Sequence, residues 1–382
     1  MNKYNVEIEI LTPVHIWNGK TLSGIDYFCL QKNLGNTEKT KDWKEITKKA
    51  FLYKFKMVDF IEKVLWEKEK KEFMEKLEKW SDKLDLRVYI FNLLQDLDKQ
   101  KKFESIARIK IPITNSFYKL WKQKIVWKPR KINGKTQEKV ENEIRNQLSQ
   151  LNIKEFVNTL WRYYIPWSSL KWAIRTVLTN KNIEKNINSK IDPFKKLIVR
   201  DSNFSKNIEI WKLARQSQKW DWIYAEFLKP WEKLTTEIIV KNFLDEKELE
   251  KINFSKENIC KKANNYTKTK IEKYISELKK LKYHPELQKN NSQAIKKKKK
   301  LDSAIDSFKK ILDKIENIEN NECILNIWFW WWYWFKLLEE IEESHPSYFR
   351  VKHLKDESIQ ISRTNWQIDL ENLWFIKLTF KD

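Results

Sequence analysis

The sequence predicts an α+β fold, and three observations carry that prediction. Residues 3–10 (KYNVEIEI) place Val6, Ile8 and Ile10 at alternate positions with Tyr4 in phase, the period of a half-buried strand. Residues 42–107 instead repeat apolar residues at spacings of three and four among Lys and Glu, the period of amphipathic helices, and residues 242–320 read as a second helical, very basic segment. Short strand-like runs stand between and after these blocks, so modules of strand and helix are interrupted by two long helical insertions. At 382 residues the chain has room for two or three domains with sizeable cores. The reading taken here is a division into 1–190, with an insertion over about 42–155, and 191–382, with a basic insertion over about 242–320.

In order along the chain, Thr12-Pro13 ends the first strand and residues 14–20 (VHIWNGK) form a turn or loop. Residues 25–30 (IDYFCL) read as a second strand, and Phe51, Phe55, Val58, Ile61 and Leu65 then mark one helical face. Residues 128–136 (KPRKINGKT) form a basic loop, followed by a helix over 138–151. Tyr163 to Pro166 is extended, because a residue before proline is steered away from the helical region. A helix starts at Ser168 or Ser169, both suited to N-capping, and runs through Ala173, Ile174, Val177 and Leu178. Residues 197–199 and 236–240 are strands, residues 242–320 are helical, a helix ends near Ile341, and a last strand covers 375–380.

The charge balance, 76 Lys+Arg against 53 Asp+Glu for a net +23, suits a polyanionic partner, with nucleic acid foremost. Cys29, Cys260 and Cys323 lie far apart and only four histidines are present, which supports neither a disulfide framework nor a structural zinc site. No metal or other cofactor is expected. The N-terminus lacks a secretory pattern and no apolar run is long enough to span a bilayer, so a cytoplasmic protein away from membranes is expected.

Two composition anomalies belong together. An ordinary chain of this length carries roughly 27 glycines, whereas this one has 4 glycines and 20 tryptophans. Many of the tryptophans stand where backbone geometry favours glycine, as in Pro166-Trp167-Ser168, Val126-Trp127-Lys128-Pro129, Lys229-Pro230-Trp231-Glu232 and the run containing Trp328, Trp330, Trp331, Trp332 and Trp334. A gene from a lineage that reads UGA as glycine, translated with a code that reads UGA as tryptophan, produces both anomalies at once. Trp80 and Trp220 stay undecided on sequence. The other reading is a tryptophan-rich protein that uses indoles as stacking platforms.

The segment Ile165-Pro166-Trp167-Ser168-Ser169-Leu170-Lys171-Trp172-Ala173-Ile174-Arg175 carries the most specific pattern. Read with glycine at 167 and 172 it is a strand, a turn, two serines and a helix N-terminus bearing Lys171 and Arg175. Free N–H groups, the positive end of the helix dipole and basic side chains then bind phosphate. An ordinary capped helix is the alternative. Residues 328–334, read as glycines, form a backbone nest for an anion; read as tryptophans, they form a stacking or interfacial surface. Ser168-Ser169-Leu170-Lys171 also fits S-x-x-K, but without the companion motifs of penicillin-recognising hydrolases.

With these glycines, residues 165–178 resemble the IPGSSLKGAIR motif of the RAMP superfamily, the RRM-like subunits of CRISPR effector complexes. LTPVHIWNGK (11–20) is similar to that superfamily's N-terminal strand and loop, and IWFWWWYWFK (327–336) to its signature loop. The tail Ser362-Arg363-Thr364 with Leu373 to Leu378, and Val199 to Ser202 followed by Leu228 to Trp231, are most like the fifth Csm subunits of type III-A systems. The resemblance implies two RRM-like (ferredoxin-like) domains and a non-catalytic subunit that holds the 3′ end of the guide RNA and assists its maturation in antiviral defence. Its implied partners are the CRISPR guide RNA, other Csm-complex subunits, chiefly the repeated backbone subunit, and host nucleases. The RNA-holding residues are expected to be His15, Asn18, Lys20, Ser168, Ser169, Lys171, Arg175, Trp328, Trp330, Trp331, Trp332, Trp334 and Lys336. Asp26 matches an acidic position that a related backbone subunit uses in cleavage, and is read here as structural. The rival enzyme reading is a metal-independent endoribonuclease with His15 as acid or base. A membrane-surface protein anchored by the tryptophan run is the third class, and Lys296 to Lys300 form a solvated helix face or a non-specific RNA contact.

Overall fold

The computed structural model describes residues 1–23, 26–33, 48–78, 83–126, 143, 146, 147, 149–179, 192–214, 222–241, 252–281, 283, 288, 290–327 and 375–381. Strands β1 (Asn2–Ile10), β2 (Trp17–Leu22), β3 (Tyr27–Asn33) and β4 (Lys48–Lys54) come first. Helices α1 (Met57–Lys63), α2 (Glu67–Glu78), α3 (Lys83–Leu93) and α4 (Leu97–Ile106) follow, then β5 (Ile109–Ile113) and α5 (Asn115–Ile125). After β6 (Ile153–Phe156) and the two-residue strands β7 (Asn158–Thr159) and β8 (Arg162–Tyr163), helix α6 covers Trp167–Leu178. A 3-10 turn at Pro193–Lys196 precedes β9 (Leu197–Val199), β10 (Ile208–Ala214), β11 (Trp222–Leu228) and β12 (Lys233–Val240). The long helices α7 (Lys256–Leu281) and α8 (Ser292–Glu316) lead to β13 (Glu322–Asn326), and β14 (Phe375–Lys381) is the last described strand. The class is α+β.

Two compact units result. The first combines residues 1–16, 162–207 and 228–382, and the second residues 17–161 and 208–227. The boundary expected at 190 falls inside a segment of the first unit, because β1 pairs with strands from the far half of the chain. In that unit five antiparallel strands lie in the order β13-β14-β1-β12-β9. β1, α6, β9, β12, the α7–α8 pair and β14 thus follow the βαββαβ order of a ferredoxin-like sheet, with β13 added at the edge.

The alternation in β1 sets its register. Val6, Ile8 and Ile10 are buried, and Ile8 sits opposite both Leu234 and Leu378. A slip of one residue would turn every one of these side chains to solvent. Beneath the sheet, Ile271, Ile275 and Leu278 of α7 and Leu301, Ile305, Phe308, Ile311 and Ile315 of α8 close a core with Leu11, Ile324 and Phe375. Their spacing of three and four gives each helix one apolar stripe. Thr267 Oγ1 donates to the Ile324 carbonyl at 2.8 Å and so ties α7 to β13.

The second unit has a four-stranded sheet, β10-β11-β6-β2, in which β6 runs parallel to β11 and antiparallel to β2. A three-stranded antiparallel sheet, β3-β4-β5, packs against α5, with α3 against α5, α2 against α3 and α1 against α4. Its core is aromatic: Phe28 meets Trp121 edge-on at 4.8 Å, and Phe55 meets Phe103 at 5.0 Å.

Several expectations are corrected. Of the loop expected over 14–20, residues 17–20 belong to strand β2, which continues to Leu22. The helical block expected from 42 contains β4, so Phe51 and Phe55 do not belong to a helix; a lysine-rich apolar run of this length fits either period locally, and pairing with β3 and β5 decides it. Helix α6 begins at Trp167 with Pro166 as its N-cap, so Ser168 and Ser169 lie inside its first turn. β10 and β11 were not anticipated. The loop at 128–136, residues 328–341 and residues 362–374 lie outside the described residues, as does most of the helix expected over 138–151.

Candidate nucleic-acid interface

Helix α6 buries Leu170, Ala173, Ile174, Val177 and Leu178, positions that share one face at 3.6 residues per turn. That choice leaves Ser168, Ser169 and Lys171 half-buried and Trp167 and Trp172 exposed. The entry to the helix is fixed by the segment after β9: Ile165 N–H donates to Ser202 Oγ at 2.8 Å, and Ser202 N–H donates to the Ile165 carbonyl at 3.0 Å. Trp167 N–H donates to Asp201 Oδ1 at 2.7 Å, while Ser169 and Leu170 N–H donate to the Pro166 carbonyl. An Asp carboxylate therefore already occupies part of the positive helix end where phosphate was expected.

Lys171 and Arg175 differ in their surroundings. Burial lowers the pKa of Lys171, with Asp192 acting the other way and Arg175 adding to the lowering, and its Nζ lies 6.0 Å from the Trp167 ring. Arg175 Nη1 pairs with Asp192 Oδ2 at 2.9 Å, and its guanidinium lies over the rings of Phe194 and Trp172. Asp192 also accepts from Phe194 N–H and so caps the 3-10 turn. Arg175 thus links α6 to that turn. The sequence reading missed Asp192 and Asp201, although Asp192-Pro193 is a cap-then-proline start signal.

The outward face of the five-stranded sheet is largely ion-paired. Glu7 lies between Lys233 and Lys381, and Glu237 between Lys3 and Arg200. Lys377 reaches both Glu9 and Glu322. Lys381 and, after it, Lys233 hold the Glu7 carboxyl below the usual range. His15, in the same unit, is buried and presents no surface to a ligand.

In the second unit the turn within β2 is held internally. Asn18 Nδ2 donates to Glu155 Oε2 at 2.7 Å, Lys20 N–H donates to Asn18 Oδ1 at 2.7 Å, and Trp17 Nε1 donates to the Lys20 carbonyl. Gly19 takes φ 89° where the pairing register shifts between Trp17 and Thr21, a left-handed position that glycine fills without strain. Asn18 is therefore the staple of the turn, and the exposed Lys20 is the group it presents.

Behind Asn18 stands a buried charge cluster that the sequence did not reveal. Lys54 Nζ lies 2.9 Å from Glu155 Oε1 and 2.7 Å from Glu226 Oε1, and Glu226 Oε2 accepts from Phe156 N–H at 3.0 Å. Burial raises the Glu155 carboxyl, but Lys54, Asn18 and Asn158 more than offset it and leave its pKa lowered. Burial also raises Glu226, and there the opposing Lys54 and Phe156 contacts do not prevail. Lys54, in an apolar strand run, was the only signal. Asp26 accepts from Ser23 N–H and Oγ, closing a local turn.

Ser168, Ser169, Lys171 and Arg175 are thus brought together on one helix of the first unit, and Asn18 and Lys20 in one turn of the second. Trp328, Trp330, Trp331, Trp332, Trp334 and Lys336 lie outside the described residues. Among the described residues no His/Cys/Asp/Glu group could hold a metal ion, and no helix is long and apolar enough to cross a membrane.

No protein-family profile and no curated protein matches the chain. Among solved structures it is similar to the crystal structure of T. onnurineus Csm5, at 16% identity and a TM-score of 0.45, over 89% of this chain and 94% of that one. It is also similar to a chain of the cryo-EM structure of a Csm-crRNA-target RNA ternary complex of a type III-A CRISPR-Cas system. There the identity is 15% and the TM-score 0.37, over 71% of this chain and 76% of that one.

Proposed function

We propose that the protein is a non-catalytic, cytoplasmic RNA-binding subunit of a type III-A CRISPR complex that holds the 3′ end of the guide RNA and assists its maturation. The observation that carries this reading is the Ile165–Arg175 segment. It combines a RAMP-like motif with an extended entry, a serine-bearing first turn and Lys171 in the turn that follows, set on a sheet in ferredoxin-like order. Ser168, Ser169 and Lys171 offer hydroxyls and a cation to the guide backbone; the exposed Lys20 of the second unit is a separate candidate contact. Arg175 acts partly by holding the 3-10 turn. In such an assembly sequence is read by base pairing, while the protein holds backbone by shape and charge. The partners are guide RNA, the repeated backbone subunit and host nucleases.

The test is recovery of the native protein with its bound RNA, followed by crosslink mapping. Crosslinks from 165–175 to the 3′ end of guide RNA are expected. Recovery without RNA, or crosslinks confined to the guide's 5′ end, would refute the reading. Incubation of the purified protein with repeat RNA in chelator is expected to leave the RNA intact, and metal-independent cutting would replace this reading with the nuclease.

A further inference from the structure

The conformations of individual tryptophans divide them into two kinds. Among the described residues only three that are not glycine have positive φ: Leu160 at 50°, Trp161 at 67° and Trp231 at 69°. A bulky side chain at such an angle is an outlier, because Cβ crowds the following carbonyl. Two of three such positions are tryptophan.

Trp231 is the clearest case. It is the third residue of Lys229-Pro230-Trp231-Glu232, where Glu232 N–H donates to the Lys229 carbonyl at 3.4 Å. Proline second and a positive φ third is the pattern of a type II turn, whose third position belongs to glycine. Its indole is 66% exposed, so core packing does not hold it there. Leu160 and Trp161 have positive φ in succession, which is the requirement of a type I′ turn, where asparagine-glycine is the usual pair. Trp66 adds an independent case. Its carbonyl accepts from Lys70 N–H as the first bond of α2, and its own N–H donates to Glu69 Oε2 at 3.0 Å. It therefore occupies an N-cap, where Ser, Thr, Asp, Asn and Gly are favoured and a large apolar residue is not.

Trp121 is the opposite kind. It is fully buried in α5 and packed against Phe28, Phe91 and Tyr118. Glycine there would open a large void in the aromatic core.

We propose that positions 66, 161 and 231 are glycine in the native protein, encoded by UGA, and that Trp121 is a true tryptophan encoded by UGG. The low glycine count, the high tryptophan count and these backbone angles then have one cause, a UGA codon decoded differently in the native host. The same decoding gives glycine at 167 and 172, and a consequence there rests on the RNA-holding reading: Lys171 and Arg175 lose the indoles that now lie beside them, which opens the basic turn of α6 to a phosphate.

The test reads codons and masses, neither of which depends on RNA binding. The gene is expected to carry UGA at 66, 161 and 231 and UGG at 121, and peptides of the protein from its native host to show glycine at the first three positions and tryptophan at the fourth. UGG at 66, 161 or 231, a tryptophan mass at any of these in the native protein, or UGA at 121 overturns the proposal. In the tryptophan-bearing protein, Trp231→Gly is expected to raise the folding constant by roughly tenfold, since a strained left-handed residue is relieved. An unchanged or lower folding constant counts against it. The functional corollary fails separately if the glycine protein is recovered from its host without guide RNA.

Discussion

Replacing Lys54 with methionine tests the buried cluster most directly. The substitution keeps an unbranched stem as far as the ε position and removes the ammonium that lies between Glu155 and Glu226. The side chains of Lys54 and Glu226 have 0% exposure and that of Glu155 only 9%, so water cannot take over the role of the ammonium. Breaking a buried pair by deleting one partner costs about 3–5 kcal/mol. Against a total stability of about 5–15 kcal/mol, that is a large share of the margin at neutral pH.

The dependence on pH has a definite sign. Glu155, with a lowered pKa, contributes stability that is present above the ordinary carboxylate value and lost as pH falls through the lowered one. Glu226, with a raised pKa, contributes stability that is present below the ordinary value and lost as pH rises through the raised one. Without Lys54 both carboxyls favour the protonated form, so the deficit of Lys54→Met should shrink on acidification through the carboxylate range. Urea titrations of both proteins at pH 5 and pH 8, compared by midpoint and slope, measure it. A loss below about 1 kcal/mol at pH 8, or a larger loss at pH 5 than at pH 8, would show that the lysine does not balance these carboxylates.

Three further outcomes are expected. Lys171→Glu should weaken guide-RNA binding by about 1–2 kcal/mol with little change in melting temperature, whereas Arg175→Ala should lower stability by about 1 kcal/mol through the lost Asp192 pair; titration binding and thermal melts separate the two effects. RNA affinity should fall with salt at a log-log slope of about -3, the value for four or five phosphates on a single strand at roughly 0.7 each, and a slope near zero would exclude backbone holding. Asp201→Ala, which removes the acceptor of Trp167 N–H, should cost about 1 kcal/mol in chemical denaturation, and an unchanged midpoint would show that this carboxylate does not cap α6.

What the sequence determined by itself is what a local period can encode. The alternation of β1, the apolar stripes of α7 and α8 and the strand at β14 are each set within one element, because a side chain's direction repeats every two residues in a strand and every 3.6 in a helix. The Ile165–Arg175 motif was legible for the same reason, as a proline-terminated extended run followed by one apolar helix face. Tertiary structure decided the rest. β1 lies between β12 and β14 from the distant half of the chain, and no local signal states which strand an edge will meet. Phe51 read as helical until β4 paired with β3 and β5. Lys54, Glu155 and Glu226 come from three separate strands, and Arg175 was free in sequence but meets Asp192 in space. In each case the deciding interaction is non-local: a partner that neutralises a buried charge or completes a strand's hydrogen bonds can come from anywhere in the chain, and only folding specifies which one does.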